Sequence, residues 1–188
     1  MTPTTKMTSS LPLKIANVLA YLLFLGSSIY AVISPQPIYE NIKQTYFTPT
    51  IWAFLVWPII HILLLGTVIY QFVSTRGKVV VVDGISWELP LLNILYATFV
   101  TAWANHHHTA ALVSAFLVGY INSNIYWTIK KEHPPQSAAD ELFIHLPFAV
   151  SEVWTVVTVY LTAFEAFGVD STEHPDGFWT KAFVFFAL

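Results

Sequence analysis

His61 and Glu152 are ionisable side chains set inside the apolar stretches 50–73 and 143–167, and that placement makes them candidates for chemistry. Counted along helices rising 1.5 Å per residue, His61 lies about 11 residues into its stretch and Glu152 about 9 into its own, so both fall near the middle of a bilayer. An unpaired carboxylate there costs several kcal/mol or takes up a proton, and an imidazole at matching depth is its natural partner. Such a pair could relay protons or orient a polar group of a bound molecule. The plainer alternative is a neutral Glu152 hydrogen-bonded to His61, Asn93 or Ser151 as interhelical glue, worth about 0.6–2 kcal/mol. Asn93, about 7 residues into its stretch, and Asn122 and Asn124, about 13–15 into theirs, extend the same polar layer. The run Asn122-Ser-Asn124 with Gly119 reads more simply as small-residue and amide packing between helices.

The tryptophans divide by position. Trp52, Trp103 and Trp127 lie near the ends of apolar stretches, where aromatic side chains gather at the membrane interfaces. Trp57 and Trp154 lie within them, where a large ring needs either tight packing or a flat ligand to stack on. The run His106-His107-His108 offers imidazoles, a common ligand for zinc, copper and iron, but adjacent residues cannot all converge on one ion. With His174 or Glu173 as the nearest help and no metal-ligand spacing, the run reads as a solvated turn, and no metal site is expected.

Composition names the elements that must position these groups. Hydrophobic residues make up 55% of the chain, charged residues 10%, and mean hydropathy is +0.60. Against about 25% charged residues in a soluble domain, that is a polytopic membrane protein. A bilayer core of about 30 Å needs about 20 apolar residues per helix. Five stretches meet this, at 13–34, 50–73, 86–105, 109–129 and 143–167, and a sixth begins near Phe178 and runs off the end. The expected fold is all-α: a tail over 1–12 and one transmembrane helical bundle over 13–188, with five full spans and the start of another. The final apolar segment covers about half a bilayer, which suggests a piece of a longer parent chain. The first stretch is longer than the 7–15 residues of a signal-peptide core, so it reads as a retained helix.

Lys6, Lys14, Arg76, Lys78, Lys130 and Lys131 fall on the amino-terminal tail and the second and fourth connections, against Lys43 alone on the other side. The positive-inside rule then puts the amino terminus, 74–85 and 130–142 on the cytosolic side. The organelle stays open. There are no cysteines, so disulfides, zinc thiolates and iron–sulfur clusters are excluded. The net charge of −3 says nothing for nucleic acid, and no such partner is expected. No nucleophile is paired with a base, and neither a phosphate loop, a dinucleotide fingerprint nor metallohydrolase spacing occurs, so the chain is expected not to be an enzyme.

Three segments carry a likeness: Trp52-Ala-Phe-Leu-Val-Trp57 followed by Tyr70-Gln71, Asn93 with Trp103, and Leu146-Pro-Phe-Ala-Val-Ser-Glu-Val-Trp154. Together they resemble the tryptophan-rich sensory protein (TspO/MBR, translocator protein) group, most closely its longer members, over about residues 13–188. The resemblance implies a five-helix core with an intramembrane pocket lined by aromatics of the second and fifth helices. It also implies a lid formed by the connection 35–49. Trp52, Trp57 and Trp154 would be the pocket aromatics, and His61, Asn93, Trp103, Ser151 and Glu152 complete the candidate ligand-binding set. Family members bind tetrapyrroles and some bind sterols, so the expected ligand is flat and hydrophobic, with haem or another tetrapyrrole as an open identity.

Three positions depart from the group's pattern. His61 stands where longer members usually carry Tyr, Ser151 and Glu152 replace an aromatic-apolar pair, and Tyr96 replaces a Trp. An added imidazole suits a metalloporphyrin through axial ligation, and an added carboxylate suits a cationic or hydroxylated ligand. The leading expectation is a membrane receptor or sensor holding its ligand between the first, second and fifth helices. A transporter or proton relay using Glu152 and His61, and a structural subunit of a larger membrane complex, remain as alternatives, with a tetrapyrrole-degrading activity open by analogy. Expected partners are the lipid bilayer and a hydrophobic small molecule, with a homodimer or larger complex left open.

Overall fold

The computed structural model describes residues 10–33, Thr45 and 50–167. Helix α1 (Ser10–Ile33) is followed by a 3₁₀ turn (Ile51–Leu55) that runs into α2 (Val56–Val73). A short α3 (Thr75–Lys78) continues as a π turn (Val79–Gly84) and leads to α4 (Glu88–Ala104), then α5 (His108–Glu132). A short α6 (Ala138–Asp140) and a second π turn (Glu141–His145) enter α7 (Leu146–Phe167). The described residues contain no strand.

Local chemistry explains the junctions. Pro58, Pro90 and Pro147 each lie within the first three residues of α2, α4 and α7, where a missing N–H costs least. Pro147 has no N–H to return to the Phe143 carbonyl one turn back, and the ladder loosens to a π turn there. Thr67 of α2 donates its hydroxyl to that carbonyl at 2.8 Å. Ser74 and Ser137 cap α3 and α6, accepting from Gly77 N at 3.2 Å and Asp140 N at 3.1 Å. The two reversals flanking α4 are tight enough to hold Ser86 and His106 at positive φ, 50° and 57°.

α1 packs on α4, α4 on α5 and α5 on α7, while α2 sits more sparingly between α7 and α1, so the five long helices close into a ring. Its interior is aromatic, with Phe24, Phe54, Trp57, Tyr96, Phe99, Trp103, Phe148 and Trp154 all buried. Polar staples tie the ring together: Asn17 Nδ2 donates to Gln71 Oε1 at 2.8 Å between α1 and α2. At one end Lys14 Nζ lies 4.9 Å from the Phe72 ring centre, and Arg76 donates to the Pro134 carbonyl at 2.9 Å. The basic connections therefore share one end of the bundle. His133, in the same region, is held below its ordinary pKa by burial and next by the Arg76 guanidinium.

Tyr70 joins α2 to the α5–α7 connection by donating to Asp140 Oδ1 at 2.8 Å, whose other oxygen accepts from Gln136 N at 3.0 Å. Replacing Tyr70 with Phe removes a hydrogen bond to a buried carboxylate and is expected to cost about 1.5–3 kcal/mol. The midpoint of helix loss by circular dichroism in an SDS titration measures it, and an unchanged midpoint would show that the bond contributes nothing net.

The sequence leads one to expect five full spans. Among the described residues, three helices are long and apolar enough to cross a membrane: Leu11–Ile33, Trp52–Val73 and Ala138–Phe167. A fourth qualifies only if Thr75–Gly84 and Glu88–Ala104, bent by 73°, count as one broken span. The 25-residue α5 has the length but not the hydropathy, because Ser114, Asn122, Ser123 and Asn124 dilute it and Lys130, Lys131 and Glu132 end it. Most of the tail, nearly all of the 35–49 connection and the final apolar segment lie outside the described residues.

Candidate functional site: an aromatic cavity between α1, α2 and α4

Phe54, Trp57 and His61 follow at spacings of three and four residues, so the 3₁₀ turn and the start of α2 present them on one face. Opposite them stand Leu25, Ser28, Ile29 and Val32 of α1 and Val100 and Trp103 of α4, enclosing a cavity of about 740 Å³. Three of its lining residues, Phe54, Trp57 and Trp103, belong to a run of stacked rings completed by Phe99, which is buried and does not line the cavity. Trp57 stacks towards Phe99 with ring centres 6.2 Å apart and 17° between planes. Phe99 stacks towards Trp103 at 5.9 Å and 22°, and Trp103 towards Phe54 at 6.0 Å and 25°. The cavity also borders the bilayer side of the ring, since Ile29, Val32, Leu55 and Ile62 line it and are at least half exposed.

Besides Ser28, the polar side chain of this cavity is His61. Its ring lies 4.2 Å from that of Phe24, centre to centre, and only 9% of the residue is exposed, yet neither ring nitrogen has a hydrogen-bond partner. Its backbone carbonyl accepts from the Tyr21 hydroxyl at 3.0 Å, which fixes the helix locally. A buried polar group without a partner is costly, so this imidazole is poised to gain from any ligand that offers a donor, an acceptor or a metal ion.

The expected pairing of His61 with Glu152 does not form. Glu152 faces α5, where Asn122 Nδ2 donates to Oε2 at 2.7 Å and Ser123 Oγ to Oε1 at 2.5 Å. The two groups share a depth but lie on different sides of the bundle, because His61 of α2 turns towards α1 and α4. The candidate set thus separates. Trp57, His61 and Trp103 line the cavity. Trp154 does not; it packs edge-on behind it against Trp57 at 6.3 Å and Phe54 at 6.1 Å. Asn93 is fully buried and donates to the Leu89 carbonyl of its own helix at 3.0 Å, and Ser151 is fully buried within the bundle. Trp52 is 74% exposed and points away. The lining comes from α1, α2 and α4, so α7 supports the wall from behind instead of forming it.

Trp103 corrects the expectation of an interfacial belt: it is buried, and its indole N–H donates to the carboxylate of Glu165. Glu165, buried near the end of α7, also lies 3.5 Å from Nδ1 of His108. In the histidine run, His106 and His107 are exposed, and no group of three potential metal ligands occurs among the described residues. Sequence reasoning passed over Phe54, Phe24 and Glu165. Phe54 was readable from its spacing to Trp57 and His61, and Glu165 from its place on the α7 stripe Thr158, Leu161, Thr162.

A comparison with curated proteins finds no match, and neither does one with solved structures. A family model described as TSPO-like protein matches residues 14–188. That range takes in four of the five ring helices, all but the first turn of α1, and the segments whose spacing first suggested the resemblance, and the protein accordingly belongs to the TSPO-like family of membrane proteins.

Proposed function

We propose that the protein is a non-enzymatic membrane receptor or sensor that binds a flat hydrophobic molecule, tetrapyrrole-like or sterol-like, in the cavity between α1, α2 and α4. The observation that carries this reading is the cavity itself. Its volume of about 740 Å³ lies within the usual range for small-molecule sites, its apolar lining includes the rings of Phe54, Trp57 and Trp103, and its polar side chains, His61 and Ser28, have no hydrogen-bond partner. Ring stacking and apolar contact would supply affinity, and His61 would fix orientation. A ligand carrying its own metal ion would find in His61 an imidazole free to coordinate it.

In this reading all five ring helices cross the bilayer, α5 with its polar face turned to its neighbours, and the basic end of the bundle faces the cytosol. The proton-relay alternative draws no support from the geometry, since His61 and Glu152 have separate surroundings and no hydrogen bond joins them.

The test is a titration of the detergent-solubilised protein with protoporphyrin IX and with haem, following tryptophan quenching and the Soret band. Saturable binding of both is expected, with His61→Leu abolishing the Soret shift seen with haem and leaving metal-free porphyrin binding within about threefold. Nonsaturable quenching in the wild type would overturn the tetrapyrrole form of the proposal. The same titration with a fluorescent sterol then decides the remaining form.

A further inference from the structure

A second concavity, about 280 Å³, opens on the outer face of the ring between α5 and α7. Phe116, Tyr120 and Tyr160 wall it, and Glu152 lies in it. Phe116 and Tyr120 are 60% and 66% exposed, so the groove faces the bilayer and is separate from the aromatic cavity inside the ring. It is far smaller than that cavity and borders different helices.

The carboxylate is held, not loose. Asn122 Nδ2 donates both to the Phe148 carbonyl at 3.2 Å and to Glu152 Oε2 at 2.7 Å, which fixes the amide's orientation. Ser123 Oγ secures the other oxygen at 2.5 Å. Partners reach both oxygens, and each oxygen keeps a second acceptor direction unused. Among the described residues no Lys, Arg or His forms an ion pair with it. A carboxylate partly withdrawn from water inside a bilayer gains from a counter-charge, and the described residues supply none.

We propose that this groove is a second ligand site, taking a protonated lipophilic amine from the bilayer with Glu152 as its counter-ion. Charge complementarity selects a cation, the aromatic walls add attraction for an ammonium group over their ring faces, and the exposed apolar rim accommodates the hydrocarbon body. The depth of Glu152 in its span excludes a phospholipid headgroup, which stays at the interface; the amine must carry a single charge on an otherwise apolar molecule.

The test uses the full chain in nanodiscs of neutral phosphatidylcholine and tritiated N,N-dimethyldodecylamine as probe, with empty discs subtracted. Saturable binding is expected, weakened about tenfold or more in Glu152→Gln, which keeps the side-chain volume, and in Val156→Trp, which fills the groove from its lipid side. His61→Leu should bind the amine as wild type does, and 1-dodecanol should not compete. Equal affinity in wild type and Glu152→Gln, or no saturable component above empty discs, would overturn the proposal. Loss of binding in His61→Leu would also overturn it, by placing the amine in the aromatic cavity. Circular dichroism and monodispersity of each variant separate these outcomes from misfolding. Because the probe is acyclic and the cavity test uses porphyrins, either site can fail without the other.

Discussion

Trp57→Ala is expected to abolish saturable porphyrin binding and to lower resistance to SDS unfolding by about 3 kcal/mol. Among the described residues Trp57 meets five other rings: Phe24 at 5.9 Å, His61 at 6.5 Å, Tyr96 at 5.9 Å, Phe99 at 6.2 Å and Trp154 at 6.3 Å between centres. Its removal takes one wall from the cavity and the central contact from the ring interior. Truncating Phe or Trp in a soluble core costs about 3–5 kcal/mol. The low end applies here because lipid is as apolar as the helix interior, so that lost packing dominates over transfer from water. Trp57→Phe keeps a ring in place and should retain most of the stability while weakening binding. The Soret titration is the suitable readout, because it does not depend on the tryptophan being removed. Wild-type affinity in Trp57→Ala would show that the ligand lies elsewhere.

The second large effect is expected from a single methyl group. Gly77, buried in α3, lies where an added Cβ would run into the backbone carbonyl and ring of Tyr70. A backbone atom cannot rotate aside, and Tyr70 is tethered through its hydroxyl to Asp140. Gly77→Ala must therefore push α3 off the end of α2, at an expected cost of about 2–3 kcal/mol. Gly26→Ala is the control: nothing stands within 4 Å of an added Cβ there, and α1 should gain up to about 1 kcal/mol from the better helix former. SDS titrations followed by circular dichroism compare the two. Equal midpoints would mean that the α2–α3 junction contributes nothing to the folded ring.

Helix positions were legible because apolar runs report burial in lipid directly: the stretches 13–34, 109–129 and 143–167 lie within a few residues of α1, α5 and α7. The broken approach to α4 was not, since 74–85 reads as a connection, whereas Val79–Gly84 is a π turn and the chain bends by 73° into α4. Depth was legible and direction was not. Counting residues put His61 and Glu152 at one level, but which neighbour each meets depends on the angular position of its helix in the ring, and that is a property of the partners. On α7 the buried stripe Ser151, Trp154, Thr155, Thr158, Leu161, Thr162 and Glu165 leaves Glu152 turned outwards. Trp103 misled for a similar reason: its place near a helix end suggested an interface, whereas its acidic partner arrives from α7. The resemblance identified the family and named Trp57, and it placed Trp154 at a wall that Trp154 only supports.

The aromatic cavity meets the bilayer through Ile29, Val32, Leu55 and Ile62, side chains that belong to its lining and to the outer face of the bundle alike. In the function proposed above, a molecule dissolved in the acyl chains would exchange with the cavity sideways, without returning to the aqueous phase. Occupancy would follow the ligand's mole fraction in the membrane and not its total concentration in the tube. Adding protein-free vesicles at constant ligand would empty the site by dilution in two dimensions, and membranes of different composition would shift apparent affinity with every contact in the protein unchanged.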